Sequence, residues 1–391
     1  MPPPAVTRTS LWLGAALLLV AVTLRLPIAS VPPIVADVQA GLGLSSAAAG
    51  AITTLPVLCF GLAAPLAPGL ARRWGDELVV LGCLVLLSAG VAMRLVPEVA
   101  PFYLGTLLLG LGIAIANVLI PSVVKRWYPR PGAMTGLYVT MMMGGAAVAA
   151  ATAVPLEDAT GDWTWALAAF GVPALVAALV WLPAVRVSRT EPGPPPPRVS
   201  LWRDPTAWLL TGMMASQSLL FYAILAWTPE IVADAGLGDA SAGVMLSIAM
   251  LLGIPTSLAL PVLAGRTDDQ RPLVLLAGGV WLAGLLGLLL APGTATVVWM
   301  VLVGLGQGGG FALTMALLVL RATDAPHAAA LSGMVQSIGY TVAAAGPSVV
   351  GVIHDATGSW RAPVAFLLAV GASLVACGLA AARPARVPAP Y

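Results

Sequence analysis

Long apolar runs, rather than an alternation of apolar and polar positions, organise this chain. A bilayer's hydrocarbon core of ~30 Å asks for about 20 apolar residues per helix. Twelve runs meet that length: residues 11–36, 47–70, 78–95, 100–124, 132–155, 162–184, 205–230, 241–264, 272–291, 295–320, 328–353 and 361–382. The pattern predicts an all-α integral membrane protein with twelve transmembrane helices. The connections are short except for residues 185–204, where Arg186, Arg189, Arg198 and Arg203 surround the Pro194–Pro197 run. Such a segment reads as a stiff basic linker. It divides the chain into a six-helix bundle at 1–184, the linker at 185–204 and a second six-helix bundle at 205–391. The first run also has the outline of a signal peptide, with small residues at Ala29–Ser30. Cleavage there would leave eleven spans, so an uncleaved first helix is expected.

Composition narrows the class. Charged residues make up 9% of the 391 positions and hydrophobic residues 59%, with a mean hydropathy of +0.97. A soluble protein runs near ~25% charged, so a soluble enzyme, a nucleic-acid binder and a disordered chain are excluded. The 42 Gly and 34 Pro suit membrane helices, which tolerate both. Cys59, Cys83 and Cys377 stand alone without metal spacing and read as small core residues. No cofactor motif and no P-loop appears, so neither a cofactor nor ATP is expected. Charge placement then orients the chain. Alternate loops, beginning at the N-terminus, hold fifteen Lys and Arg; the opposite loops hold Arg94 and Arg361, together with acids such as Asp37, Glu98, Glu157 and Glu230. Positive charge marks the inside, so both termini are expected in the cytoplasm of a bacterial inner membrane protein.

The halves repeat. Asp158-Ala159-Thr160-Gly161 returns as Asp355-Ala356-Thr357-Gly358, and Gly110-Leu111-Gly112 as Gly304-Leu305-Gly306. Ile34-Val35-Ala36-Asp37 returns as Ile231-Val232-Ala233-Asp234. Pro68-x-Leu70-Ala71-x-Arg73-x-x-Asp76 returns as Pro261-x-Leu263-Ala264-x-Arg266-x-x-Asp269. Several short words in one register make a parallel repeat. The fold predicted is therefore two pseudo-symmetric six-helix bundles, with a site expected between the halves near the bilayer midplane.

Motifs throughout the chain sharpen this. Thr23-Leu24-Arg25-Leu26-Pro27-Ile28-Ala29-Ser30, Thr53-Thr54-Leu55-Pro56, Gly112-Ile113-Ala114-Ile115-Ala116-Asn117, Gln217-Ser218-Leu219-Leu220-Phe221-Tyr222 and Gly306-Gln307-Gly308-Gly309-Gly310-Phe311 carry a resemblance over nearly the whole sequence. The chain resembles the major facilitator superfamily, in its cyanate and nitroimidazole transporter-like branch. The resemblance implies a transporter and places helices one, four, seven and ten around the cavity. It also implies a loop motif after the second helix, from which this chain departs. Arg72 stands where the family has Asp, and Asp76 and Glu77 stand where it has bases. The family's gating charge pair therefore cannot be copied across directly. Arg72, Arg73, Asp76, Arg266 and Asp269 are the gating or loop-motif candidates, with Asp76 or Glu77 in the mirrored role; anchoring of the loop inside is the alternative for Arg72 and Arg73.

Arg25 is the leading candidate for substrate contact. It falls about fifteen residues into the first run and reads as the only basic residue deep in any span. A charge there is costly, ~2.5–3.5 kcal/mol on insertion scales, unless it faces a polar cavity or a partner. Its planar, permanently charged fork suits a small anion or a nitro or carboxylate group. Around it, Asn117, Tyr138, Gln217, Phe221, Tyr222, Gln307, Phe311, Gln336 and Tyr340 offer amides and aromatic rings in apolar helices. Gln217 with Phe221, Gln307 with Phe311, and Gln336 with Tyr340 sit four apart and share a helix face. Helix-to-helix hydrogen bonding is the alternative for each. Glu230 and Asp37, with His354 beside Asp355, are the candidates for proton coupling, and uniport stays open.

The function expected is secondary active or facilitated transport of a small anion or a small polar or nitro-substituted solute by alternating access, by a monomer in the bilayer. Efflux of a drug or nitroaromatic is the alternative. A membrane-embedded enzyme would need a nucleophile, acid–base pair or metal cluster at midplane depth, and the isolated Cys and loop-end His supply none.

Overall fold

The computed structural model describes residues 8–44, 46–188, 201–234, 236 and 239–383; the linker expectation falls largely on 189–200, outside the described residues. Among the described residues all regular structure is helical. Twelve spans follow in order: Trp12–Leu42, Thr54–Trp74, Asp76–Met93, Val99–Trp127, Pro131–Thr160, Trp163–Arg186, Pro205–Thr228, Ser247–Ala264, Arg271–Leu290, Thr296–Arg321, Ala325–Thr357 and Arg361–Ala381.

The first span is not one helix. It is α1 (Arg8–Thr23), α2 (Leu26–Ala29), a 3₁₀ turn at Pro32–Ile34 and α3 (Val35–Leu42). Proline explains each break. Pro27 has no N–H, and its ring crowds the carbonyl four residues back, at Thr23, where α1 stops. The Arg25 N–H turns to the Val22 carbonyl at 3.2 Å, a tightened i−3 bond. Pro32 and Pro33 remove two further donors. The chain then re-forms a helix that runs beyond the expected end at residue 36, until Gly43 closes it in the left-handed region at φ 61°. Leu26, Val31, Ile34, Val38 and Leu42 pack this second part into a core with Phe102, Trp163 and Phe170.

The residues form two compact units, Met1–Pro129 with Met141–Arg198, and Arg130–Thr140 with Val199–Tyr391. The start of span five thus groups with the second unit, whereas the sequence reading has residues 1–184 together. Space at two glycines accounts for it. A Cβ on Gly132 would sit 2.6 Å from the Pro261 carbonyl oxygen, and one on Gly136 2.8 Å from that of Leu258. The two backbones approach as only glycine permits.

Each unit places one span at its centre. The most apolar stretches of spans four and ten are 83% and 78% buried, against 61% or less elsewhere. Matching glycines give them room. In the first unit Gly110 meets Pro56 and Cys59 of span two, and Gly112 meets the Cys83 carbonyl of span three. In the second, Gly304 meets Ala249 of span eight and Gly306 meets Trp281 of span nine. The Asp-Ala-Thr-Gly repeat closes the same turn in both units. Gly161 at φ 69° and Gly358 at φ 62° donate to the Glu157 and His354 carbonyls at 2.7 Å. Thr160 and Thr357 bond the carbonyls four residues back at 2.8 and 2.7 Å. A positive φ is open to glycine without steric penalty, which explains the identical fourth letter of the repeat.

Candidate functional site

Arg25 lies at the break of the first span, capping the N-terminus of α2. It is partly buried, and its guanidinium stands 6.0 Å over the Phe60 ring. That is the outer range of a cation–π contact. Among the described residues it forms no salt bridge. Its charge therefore has an aromatic face beside it and no fixed counter-ion.

Of the other predicted contacts, Asn117 is buried in span four of the first unit and the remaining eight belong to the second. Gln217 is 2% exposed and its amide donates to the Ser218 hydroxyl at 2.5 Å, which links the two faces of span seven. One turn on, the Phe221 and Tyr222 rings meet edge to face with centroids 5.0 Å apart. Gln336 donates to Ser332 at 2.6 Å along its own helix. Tyr138 and Tyr340 are buried within electrostatic reach of each other. Phe311 is partly buried. Gln307 is buried, and its carbonyl oxygen has no hydrogen-bond partner, as has the Tyr138 hydroxyl. A buried polar atom left unpaired is unfavourable by about 1–3 kcal/mol. Among the described residues these two polar atoms stand unpaired in the second unit.

The carboxylates proposed for proton coupling are exposed. Glu230 faces out. Asp37 is exposed and lines a cavity of about 350 Å³ with Glu157, Asp162 and Trp163. His354 stacks on Trp360 at 4.1 Å and stands 3.7 Å from Asp355.

The loop-motif residues divide. Arg72 is partly buried, and Arg73 is exposed and lies over the Trp74 ring at 5.2 Å. Asp76 and Glu77 are 4% and 1% exposed at the start of span three, and both are held by Arg126 from the end of span four, at 3.2 and 3.1 Å. Ser122 donates to Asp76 and the Trp127 indole to Glu77, at 2.5 and 2.9 Å, while the Trp181 indole donates to the Glu77 carbonyl. The second unit repeats the tie in milder form. Gln270 takes the place of Glu77 and accepts from Arg321 at 2.6 Å, and Arg321 also donates to the Ala381 carbonyl. Arg266 is exposed, and Asp269 pairs with Arg271 at 2.7 Å. The hydrogen bonds from Arg271 hold the Asp269 carboxyl down to about 2.

Two basic residues at span ends are buried as well: Arg94 and Arg321 are 2% and 6% exposed. Arg94, read as an outer-loop charge, turns inward to Thr106 and Pro27. Its position inside the apolar run 78–95 is the mark it leaves in the sequence.

The Major Facilitator Superfamily model matches residues 11–344. The chain is 41% identical over 379 residues to an uncharacterized transporter, YycB, of Bacillus subtilis (strain 168), covering 96% of this chain and 94% of that one. It is 35% identical to a 2-nitroimidazole transporter of Escherichia coli (strain K12), covering 94% and 95%. The cyanate transport protein CynX of the same organism is 29% identical, covering 94% and 97%. Among solved structures the fold is similar to that of the transporter FucP, with a TM-score of 0.74, 11% identity and coverage of 96% and 99%.

Proposed function

Because the chain belongs to the major facilitator superfamily, we propose that it moves a small anion, or a small polar or nitro-substituted organic solute, by alternating access. The single observation that carries this reading is Arg25, a permanent cation at a helix break with no carboxylate paired to it among the described residues. A discontinuous membrane helix frees backbone groups and is a recurrent way to build a transport site. A guanidinium beside it recognises planar oxygens through two parallel hydrogen bonds. The transported solutes printed for two relatives, 2-nitroimidazole and cyanate, are small and planar, which fits that fork. The working form is a monomer in a bacterial inner membrane with both termini in the cytoplasm.

Transport by the purified protein in liposomes tests this. Cyanate, nitrate, small carboxylates and 2-nitroimidazole are offered in both directions, with and without a pH gradient. At least one should cross faster than in empty vesicles. Arg25→Ala should lower kcat/KM for that probe by about tenfold to a hundredfold, the effect of one charge-assisted hydrogen bond. Arg25→Lys should recover only part, since an ammonium lacks the planar fork. Both variants transporting like the parent would remove Arg25 from the site. A rate indifferent to the pH gradient would remove proton coupling.

A further inference from the structure

Arg94 is a charge that nothing in the transport reading uses. It ends the third span as the residue after Met93, 2% exposed. Its Nη1 donates to the Pro27 carbonyl at 3.0 Å, across 67 residues of sequence. Nε and Nη2 both donate to the Thr106 hydroxyl, at 3.1 and 2.9 Å. That hydroxyl in turn donates to the Phe102 carbonyl at 2.8 Å, so its lone pairs are turned to the guanidinium. The Phe102 ring lies 5.1 Å beneath. Among the described residues no carboxylate pairs with it.

The Pro27 carbonyl needs this donor. α2 is four residues long, and the Val31 N–H that a continuing helix would offer to Pro27 goes to Ile28 instead, at 3.5 Å. The next backbone nitrogens, of Pro32 and Pro33, carry no hydrogen. A carbonyl stranded at a helix end in an apolar setting is costly unless another group reaches it. Spans three and four are built to let Arg94 do so. A Cβ on Gly105 would sit 2.4 Å from the Gly90 carbonyl oxygen, and one on Gly90 would sit 2.6 Å from that of Gly105. At this seam the two backbones touch, and a Cβ on Gly105 would also sit 3.3 Å from Arg94 Cγ. The guanidinium, fixed on Thr106, thereby reaches the first span two residues beyond Arg25.

We propose that Arg94 is a positioning residue for the transport site: it clamps the broken first span through the Pro27 carbonyl and so fixes the turn from which Arg25 projects. The clamp acts through backbone and does not touch the solute. Only its consequence for transport rests on the proposed role of Arg25.

Hydrogen–deuterium exchange of the purified full-length chain in detergent tests it, in parent, Arg94→Gln, Arg94→Lys and Thr106→Val forms. Exchange of peptides covering residues 22–34 should speed at least tenfold in Arg94→Gln, with peptides of span nine unchanged. Thr106→Val keeps the guanidinium but removes its anchor. It should move the same peptides in the same direction, and it decides the matter should Arg94→Gln fail to fold. Arg94→Lys should restore part of the protection, because an ammonium reaches one of the two acceptors. Unchanged exchange over 22–34 in every folded variant would overturn the proposal. The transport arm uses 2-nitroimidazole in liposomes. Thr106→Val should raise KM severalfold while kcat stays within about twofold. A kcat loss at unchanged KM would overturn the positioning role. If the parent moves no probe yet exchange responds as expected, the clamp stands and the transport reading of Arg25 fails.

Discussion

Removing the Arg126 side chain takes a counter-charge from two buried carboxylates. Asp76 and Glu77 are almost fully buried, and one guanidinium serves both, itself 37% exposed. Taking one partner from a buried pair typically destabilises by 3–5 kcal/mol because a charge is left unpaired. With the guanidinium partly in solvent, the low end applies. Arg126→Met should therefore lower stability by about 3 kcal/mol, seen as a lower midpoint in thermal unfolding followed by Trp fluorescence. Adding Asp76→Asn and Glu77→Gln, which keep the shapes and remove the charges, should return most of the loss. An unchanged midpoint in Arg126→Met would show that the Ser122 and Trp127 donors hold the carboxylates alone. This tie was only half legible beforehand. The sequence shows acids at the start of span three where the family carries bases, but which basic residue answers them is a question of distance. Arg126 lies about fifty positions away and stands among other loop cations. Arg25 stands out in the sequence for the opposite reason: an isolated charge in an apolar run has few roles open to it.

At the scale of elements, the repeated Gly-Leu-Gly words make a differential prediction. A Cβ on Gly110 would meet its nearest neighbours, Cys59 Sγ and the Pro56 Cα, at 3.1 and 3.2 Å. One on Gly304 would lie 2.4 Å from the Ala249 carbonyl oxygen and 2.8 Å from its Cα. The first site needs a shift of a few tenths of an ångström; the second drives a methyl into backbone. Gly110→Ala should thus cost under about 1 kcal/mol and Gly304→Ala about 1–3 kcal/mol or more, the range for overpacking. Unfolding midpoints and folded yields of the two variants measure it, and equal effects would mean that the two seams are equally tight. The same scale shows where sequence reading loses detail. Periodicity and length locate the spans because burial in lipid demands length. They treat residues 11–36 as one helix, because hydropathy averages over a break of two residues. Pro27, Pro32 and Pro33 announce a bend, but whether proline bends a helix or ends it depends on who accepts and donates the freed hydrogen bonds, and the donor from Arg94 comes from another helix.

For the molecule as a whole, the shortage of charge becomes an argument about direction in the membrane. The loops of one side hold fifteen basic residues and those of the other hold Arg94 and Arg361. Arg94 is buried against Thr106 and Pro27, so it cannot act as a free loop charge. Arg361 alone is left exposed on that side. Arg321 on the first side is buried too, so the bias becomes fourteen against one rather than fifteen against two. A fluorescent protein joined after Tyr391 should fluoresce, and alkaline phosphatase at the same point should be inactive. Phosphatase inserted at residues 95–98 should be active, and Arg361→Ala should leave all three readings unchanged. Active phosphatase after Tyr391 would invert the orientation. It would place the Asp76–Glu77–Arg126 tie outside and the Asp37 cavity inside.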